Sequence, residues 1–213
     1  MTTDGPVRLD ELELDALTEL VNLGVSRAAV SLRAMVGEQV LLSVPSVALM
    51  DRAHAIAILG RSERRTLVAV HQLFEGEISG RALLIFPEAK SLELVRAVTS
   101  GDLSLEDIID LEPEALAEIG NIILNSCLAT IANMLNRTLR ISLPEIVRGD
   151  GNTLFNLPPP PDGGDVVLFV YINFAVQRRD INGYIAMLMD VPGLDALKKL
   201  LREFIDRTAG KSG

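Results

Sequence analysis

Asp15-Ala-Leu-Thr-Glu19-Leu-Val-Asn22 and Glu114-Ala-Leu-Ala-Glu118-Ile-Gly-Asn121 are one pattern written twice. Each runs through further aliphatic residues to a boundary residue, Gly37 in the first copy and Asn136 in the second. A strand-like segment follows, EQVLLSVPSV (38–47) or RTLRISLPEI (137–146), carrying Pro45 or Pro144. The offset is 99 at all four matched positions: 15 to 114, 19 to 118, 22 to 121 and 45 to 144. Glu, Asn and Pro each fill roughly 5% of positions, so such a triplet at fixed spacing arises at roughly one site in ten thousand. Duplication is the better account. A repeat of this length is too long for a solenoid and implies two fused, pseudo-symmetric halves, about 10–100 and 109–207.

The pattern around the repeat gives the elements. Leu9, Leu12, Ala16, Leu20 and Leu23 recur at three- and four-residue steps, which predicts a helix over about 10–36 closed by Gly37. The second copy predicts a helix over 112–135, with Pro113 in its first turn and Asn136 as a left-handed cap. Runs rich in Val, Ile, Leu and Phe predict strands at about 39–50, 53–60, 65–74, 77–86, 138–147, 166–178 and 181–190. RRDING (178–183) reads as a hairpin turn. Helices at 88–99 and 193–207 complete the halves, the first ended by Gly101, and the Pro- and Gly-rich 149–165 reads as a loop. The expected class is α/β (α+β): a pseudo-twofold-symmetric sheet of two repeated halves, with two long related helices packed on one face.

Composition narrows the function. With 29 acids against 20 bases the net charge is −9, which argues against nucleic acid as the partner. Trp is absent and only 8 residues are aromatic, a poor supply for stacking on bases or sugars. Cys127 is the single cysteine, so no intrachain disulfide can form; among Leu124, Leu128 and Ile131 it reads as a core thiol. His54 and His71 lack the companions of a zinc set, and His71, in the run TLVAVHQLF, is expected at a surface or rim. The first residues, MTTDGPVRLDELEL, carry acids where a secretory signal has a basic start, and no stretch reads as long and apolar enough to cross a bilayer. The expectation is a cytoplasmic protein without membrane insertion.

On a helix, positions i, i+4 and i+7 share a face, so Asp15, Glu19 and Asn22 form one stripe and Glu114, Glu118 and Asn121 another. A solvated polar face would look the same in a single copy. Asn, however, is about 0.7 kcal/mol worse than Ala inside a helix, and its placement in two long helices at matched positions is the kind of violation that marks function. Neither residue type is an activated nucleophile, and no His or Cys stands beside them as a base. An Asn amide has one acceptor and two donors and can hold a water. Phosphoryl transfer asks mainly for positioning and electrostatics, which such a helix can supply. The acids are also hard oxygen ligands, but three residues on one exposed helix make an open, incomplete shell, and no metal is expected on this chain.

The doubled motif, acid or Ser, x3, Glu, x2, Asn, x22, Pro, resembles the CheC / CheX / FliY phosphatases of chemotaxis. ELVNLGVSRAAVSL, LLSVPSV and LAEIGNIILNSCLATIANML look like that family along nearly the whole chain. The resemblance implies one CheC-like domain over 1–213 whose substrate is a phosphorylated CheY-type response regulator. Asn22 and Asn121 would position the water that hydrolyses the aspartyl phosphate. Glu19 and Glu118 would form the anchoring ion pairs, with Asp15 and Glu114 beside them in partner binding and Pro45 and Pro144 as structural marks of the motif. No cofactor is implied for this chain; Mg2+ would sit on the phosphorylated partner. Two intact motifs resemble CheC, which implies CheD, a receptor deamidase, as a further partner; the switch domain of FliY would need chain beyond Gly213. The alternative is a non-catalytic module that docks a receiver domain or CheD. Two departures stand out: the family run Asn-Ile-Gly-x-Gly-Asn-Ala reads Asn22-Leu-Gly-Val-Ser-Arg27-Ala, which puts Arg27 near the first site, and Glu114 stands where Asp or Ser is usual.

Overall fold

The computed structural model describes residues 9–37, 39–62, 66–99, 104–157, 166–176 and 179–209. In chain order the elements are α1 (Glu11–Val36), β1 (Val40–Asp51), α2 (Arg52–Ser62), β2 (Leu67–Glu75), β3 (Gly80–Pro87) and α3 (Glu88–Val98). The second half repeats the succession with α4 (Leu105–Met134), β4 (Arg140–Ile141), β5 (Glu145–Gly149), α5 (Gly151–Phe155), β6 (Val166–Val176), β7 (Arg179–Met189) and α6 (Val191–Ala209).

The strands form one antiparallel sheet in the order β1-β6-β7-β3-β2, with β4 and β5 both along the outer edge of β2. Exchanging the halves, β1 for β4 and β5, β2 for β6, and β3 for β7, turns this order into its own reverse. The pseudo-twofold passes between β3 and β7. Each half also surrenders its first strand: β1 lies against β6 of the second half, and β5 against β2 of the first.

Alternation along the strands divides the core. Val68, Val70 and Phe74 of β2, Leu84 and Phe86 of β3, and Val170, Ile172 and Phe174 of β6 face α1, α3, α4 and α6. Leu67 and Ala69, Leu83 and Ile85, and Val167 and Phe169 face the other way, under Ala55 and Leu59 of α2 and Leu154 and Phe155 of α5. The helices are therefore not confined to one face: the two long ones share theirs with α3 and α6, and two short ones cover the reverse. Burial of these side chains, roughly 25 cal/mol per Å² of apolar surface, holds both layers.

Several local expectations are corrected. Residues 53–60 are helix, because Ala55 and Leu59, four apart, both meet the sheet, and the Asp51 carboxylate accepts the His54 N–H at the helix start. α4 begins at Leu105: Ser104 and Asp107 form a reciprocal capping box, so Pro113 lies inside the helix. Its missing N–H leaves a carbonyl on the exposed side, where water can satisfy it. Residues 138–147 are two short strands broken before Pro144. Arg179–Met189 is a strand paired from Val176↔Arg179 inward, so most of RRDING belongs to β7. Residues 151–155 of the expected loop are helical; 158–165 and Gly101 lie outside the described residues. His71 is buried on β2. α4 does contain an 18-residue window of mean hydropathy 1.5, long enough to cross a membrane by composition; 56% of it is buried against α1, α3 and the sheet.

Gly37 at φ 75° and Asn136 at φ 55° both take the left-handed region expected of them. Cys127 is fully buried where α1 crosses α4, and a methyl group on Gly24 would meet its Cα at 2.7 Å. Only glycine permits that approach.

Candidate functional site

The helix ends define how the stripes are held. Asp10 caps α1, accepting from the Glu13 N–H while the Glu13 carboxylate accepts from Asp10 N–H, both at 2.9 Å. Glu13 is buried and also meets Arg202 of α6 at 2.6 Å. Glu112 stands 99 residues on (13 + 99), is likewise buried, and binds Ser91 of α3 and Arg148 of β5, each at 2.5 Å. Each long helix is thus pinned to its neighbours by a matched glutamate two residues before the stripe. Sequence reading missed this pair, although the offset was there to find.

Beyond these anchors the carboxylates behave oppositely. Asp15, Glu19, Glu114 and Glu118 are exposed, and none has a basic partner within the described residues. Asn22 and Asn121 are half-buried at the inner edge of their stripes. Each stripe therefore offers a solvent-facing pair of carboxylates beside a half-buried amide. Among the described residues no hydrogen bond or ion pair joins the stripe of α1 to that of α4, so they are two sites and not one.

Both prolines lie along the outer edges of the sheet. Pro45 lies within β1 where its register with β6 shifts between Ser43 and Ser46, and Pro144 lies between β4 and β5. Edge strands and their irregularities are where a residue without an N–H is tolerated. At the second break Ser142 takes over the ladder, its N–H donating to Leu73 O and its hydroxyl accepting from Leu73 N–H, both at 2.9 Å.

The sites differ in what lies under the Asn. Asn121 Oδ1 accepts from Gln72 Nε2 at 3.2 Å and from Asn125 Nδ2 at 2.7 Å. Gln72 is fully buried on β2, and the same nitrogen donates to Ser142 O at 2.9 Å. Asn22 has no side-chain hydrogen bond among the described residues. Arg27 is exposed and donates to Thr130 Oγ1 of α4 at 3.2 Å, so its charge is engaged along the helix crossing. Among the described residues no cluster of three or more His, Cys, Asp or Glu is arranged to hold a metal.

No family profile matches the chain. It is 25% identical over 144 residues to the CheY-P phosphatase CheC of Bacillus subtilis, covering 65% of this chain and 67% of that one. It is 26% identical over 148 residues to a CheC relative from Halobacterium salinarum, covering 68% and 74%. Among solved structures, FliY of Thermotoga maritima matches with a TM-score of 0.71 at 20% identity, over 94% of this chain and 99% of that one. FliM of H. pylori, in its complex with SpeE, matches with a TM-score of 0.63 at 10% identity, over 92% and 97%. At these identities the structural matches speak for the fold.

Proposed function

We propose that the chain is a member of the CheC / CheX / FliY family, to whose CheC proteins it is similar, and a cytoplasmic phosphatase acting on the aspartyl phosphate of a CheY-type response regulator. Asn22 and Asn121 orient a water toward the phosphorus. The water oxygen forms the new P–O bond, the bond from phosphorus to the aspartyl oxygen breaks, and the products are inorganic phosphate and the regulator's free carboxylate. The magnesium ion is the regulator's own. An acyl phosphate is already reactive, so the protein need supply only position and field. Glu19 and Glu118 reach a cation on the regulator, with Asp15 and Glu114 extending the same negative stripe.

The observation that carries this reading is the pairing, twice over, of exposed carboxylates that have no basic partner among the described residues with a half-buried Asn on a long helix. An ordinary solvated face has no need to contrast so sharply with the ion-paired Glu13 and Glu112, two residues before each stripe. Phosphate release from a phosphorylated CheY-type regulator is measured with the wild type, Asn22→Ala, Asn121→Ala and the double variant. The expected result is loss of accelerated release in the double variant. Wild-type turnover in a folded double variant would sink the catalytic assignment.

A second reading has one observation in its favour: the same fold occurs in FliM, solved in complexes with FliG and with SpeE. On that reading the stripes dock a receiver domain, or CheD, without hydrolysis. Binding of the phosphorylated regulator with no gain in phosphate release distinguishes it.

A further inference from the structure

We propose that Gln72, with Asn125, is a positioning residue that locks Asn121 with its amide nitrogen turned outward, so that the second site meets its water as a hydrogen-bond donor. The inference rests on the phosphatase reading of Asn121.

The hydrogen-bond directions follow one from another. Ser142 O is a backbone carbonyl and can only accept, so the Gln72 group facing it at 2.9 Å must be the NH2. The other hydrogen of that NH2 points at Asn121, 3.2 Å away, which must therefore present its oxygen. Asn125 Nδ2 supplies a second donor to the same oxygen at 2.7 Å. Both lone pairs of Asn121 Oδ1 are then in use, and only its NH2 remains for a ligand. Donation to the water oxygen occupies one lone pair and leaves the other for phosphorus.

Gln72 can reach Asn121 because α4 lies unusually close to β2. A methyl group on Gly120 would stand 2.4 Å from Val70 Cγ1 and 2.5 Å from Val70 Cβ, so no side chain fits between helix and strand there. The ladder shows what the first half has instead. Val70 pairs with Ile146 as Val170 pairs with Val47, which places Ile172 where Gln72 would be. The 99-residue offset likewise puts Val21 in the place of Gly120 and Ser26 in that of Asn125. The first site has neither the close approach nor the two amide donors. A fully buried glutamine in an otherwise apolar row (Val68, Val70, Phe74), with its own Oε1 unpartnered among the described residues, has no evident use in stability.

The test silences the first site with Asn22→Ala and follows phosphate release from a phosphorylated CheY-type regulator. In that background Asn121→Ala must abolish acceleration; if it does not, the phosphatase reading fails, separately from this one. Gln72→Leu is expected to lower kcat by roughly 3- to 10-fold with KM unchanged, the effect of one neutral hydrogen bond on orientation. Asn125→Ser, which installs the residue of the other half, is expected to act in the same direction without touching the core. In 15N spectra the Asn121 side-chain NH2 is expected to lose order in both variants. Should Gln72→Leu fail to fold, Asn125→Ser decides alone. An unchanged kcat, or a raised KM at constant kcat, in the folded variants overturns the assignment.

Discussion

Gly120→Ala tests the geometry on which the second site depends. In an open helix this exchange stabilises by about 1 kcal/mol. Here the new methyl group would stand 2.4, 2.5 and 2.6 Å from Cγ1, Cβ and Cγ2 of Val70, against an ordinary contact of about 3.5–4.0 Å. Because one of the clashing atoms is Cβ itself, no valine rotamer relieves it. Helix and strand must separate by about 1 Å, at a cost toward the upper end of the roughly 1–3 kcal/mol typical of overpacking. After the propensity gain, a net loss of about 2 kcal/mol is expected. The same shift would stretch the 3.2 Å bond between Gln72 and Asn121 beyond hydrogen-bonding range. Gly60→Ala is the control: it lies within α2 with nothing within 4 Å, and should gain several tenths of a kcal/mol or more. Urea titrations compare the midpoints at constant slope. Val70→Ala added to Gly120→Ala should recover part of the loss, a coupling that a double-mutant cycle measures. A Gly120→Ala protein as stable as Gly60→Ala would refute the close-approach argument.

Further outcomes follow from charge and burial. If Glu19 and Glu118 grip a cationic partner, affinity for the regulator should fall as salt rises from about 0.05 to 0.5 M, and the slope should flatten in Glu19→Gln/Glu118→Gln; a salt-independent affinity would contradict the ion-pair role. Burial pushes the Cys127 thiol up to about 12, so it should resist alkylation at pH 8 until the protein unfolds; ready labelling of the native state would place it elsewhere. His71 is held below its ordinary 6.5 by burial and by Arg81, against a smaller opposing pull from Glu145. Its neutral form is favoured in the fold. The stability it contributes is therefore present above about pH 6.5 and lost as pH falls through the lower native value. His71→Gln should flatten the change in unfolding free energy between pH 7 and 5; an unaltered slope would deny His71 that role.

What could be read from sequence was what periodicity and caps encode. The extent of α1 was legible from its period and from Gly37, but its buried side was not: of the residues that spelled the period only Leu20 is buried, Leu12 is exposed, and the core side is Leu17, Leu20, Val21 and Ala28. The start of α4 was not legible, because Pro113 imitates a first turn and drew attention from the Ser104–Asp107 box. α2 was misread because AHAIAILG alternates over a short span, where a two-residue and a four-residue period cannot be told apart. The doubled stripe stood out through its repetition. Gln72 carried no such signal: a polar residue inside a strand acquires meaning only from what crosses above it, and that is set by Gly120, forty-eight positions later (120 − 72). His71 was misplaced for a related reason, since both faces of β2 turn out to be covered.

The exchange of first strands has a kinetic side. β1 is complete at Asp51, yet its one partner among the described residues, β6, begins at Val166, and β2 likewise waits for β5 at Glu145. Pairings this distant in sequence raise the contact order and slow the search for the native state. During synthesis the first half leaves the ribosome with β2 lacking its outer neighbour and β1 unpaired, an open template for a second chain. A fragment ending near residue 100 should accordingly associate with itself, each copy lending β1 to the other.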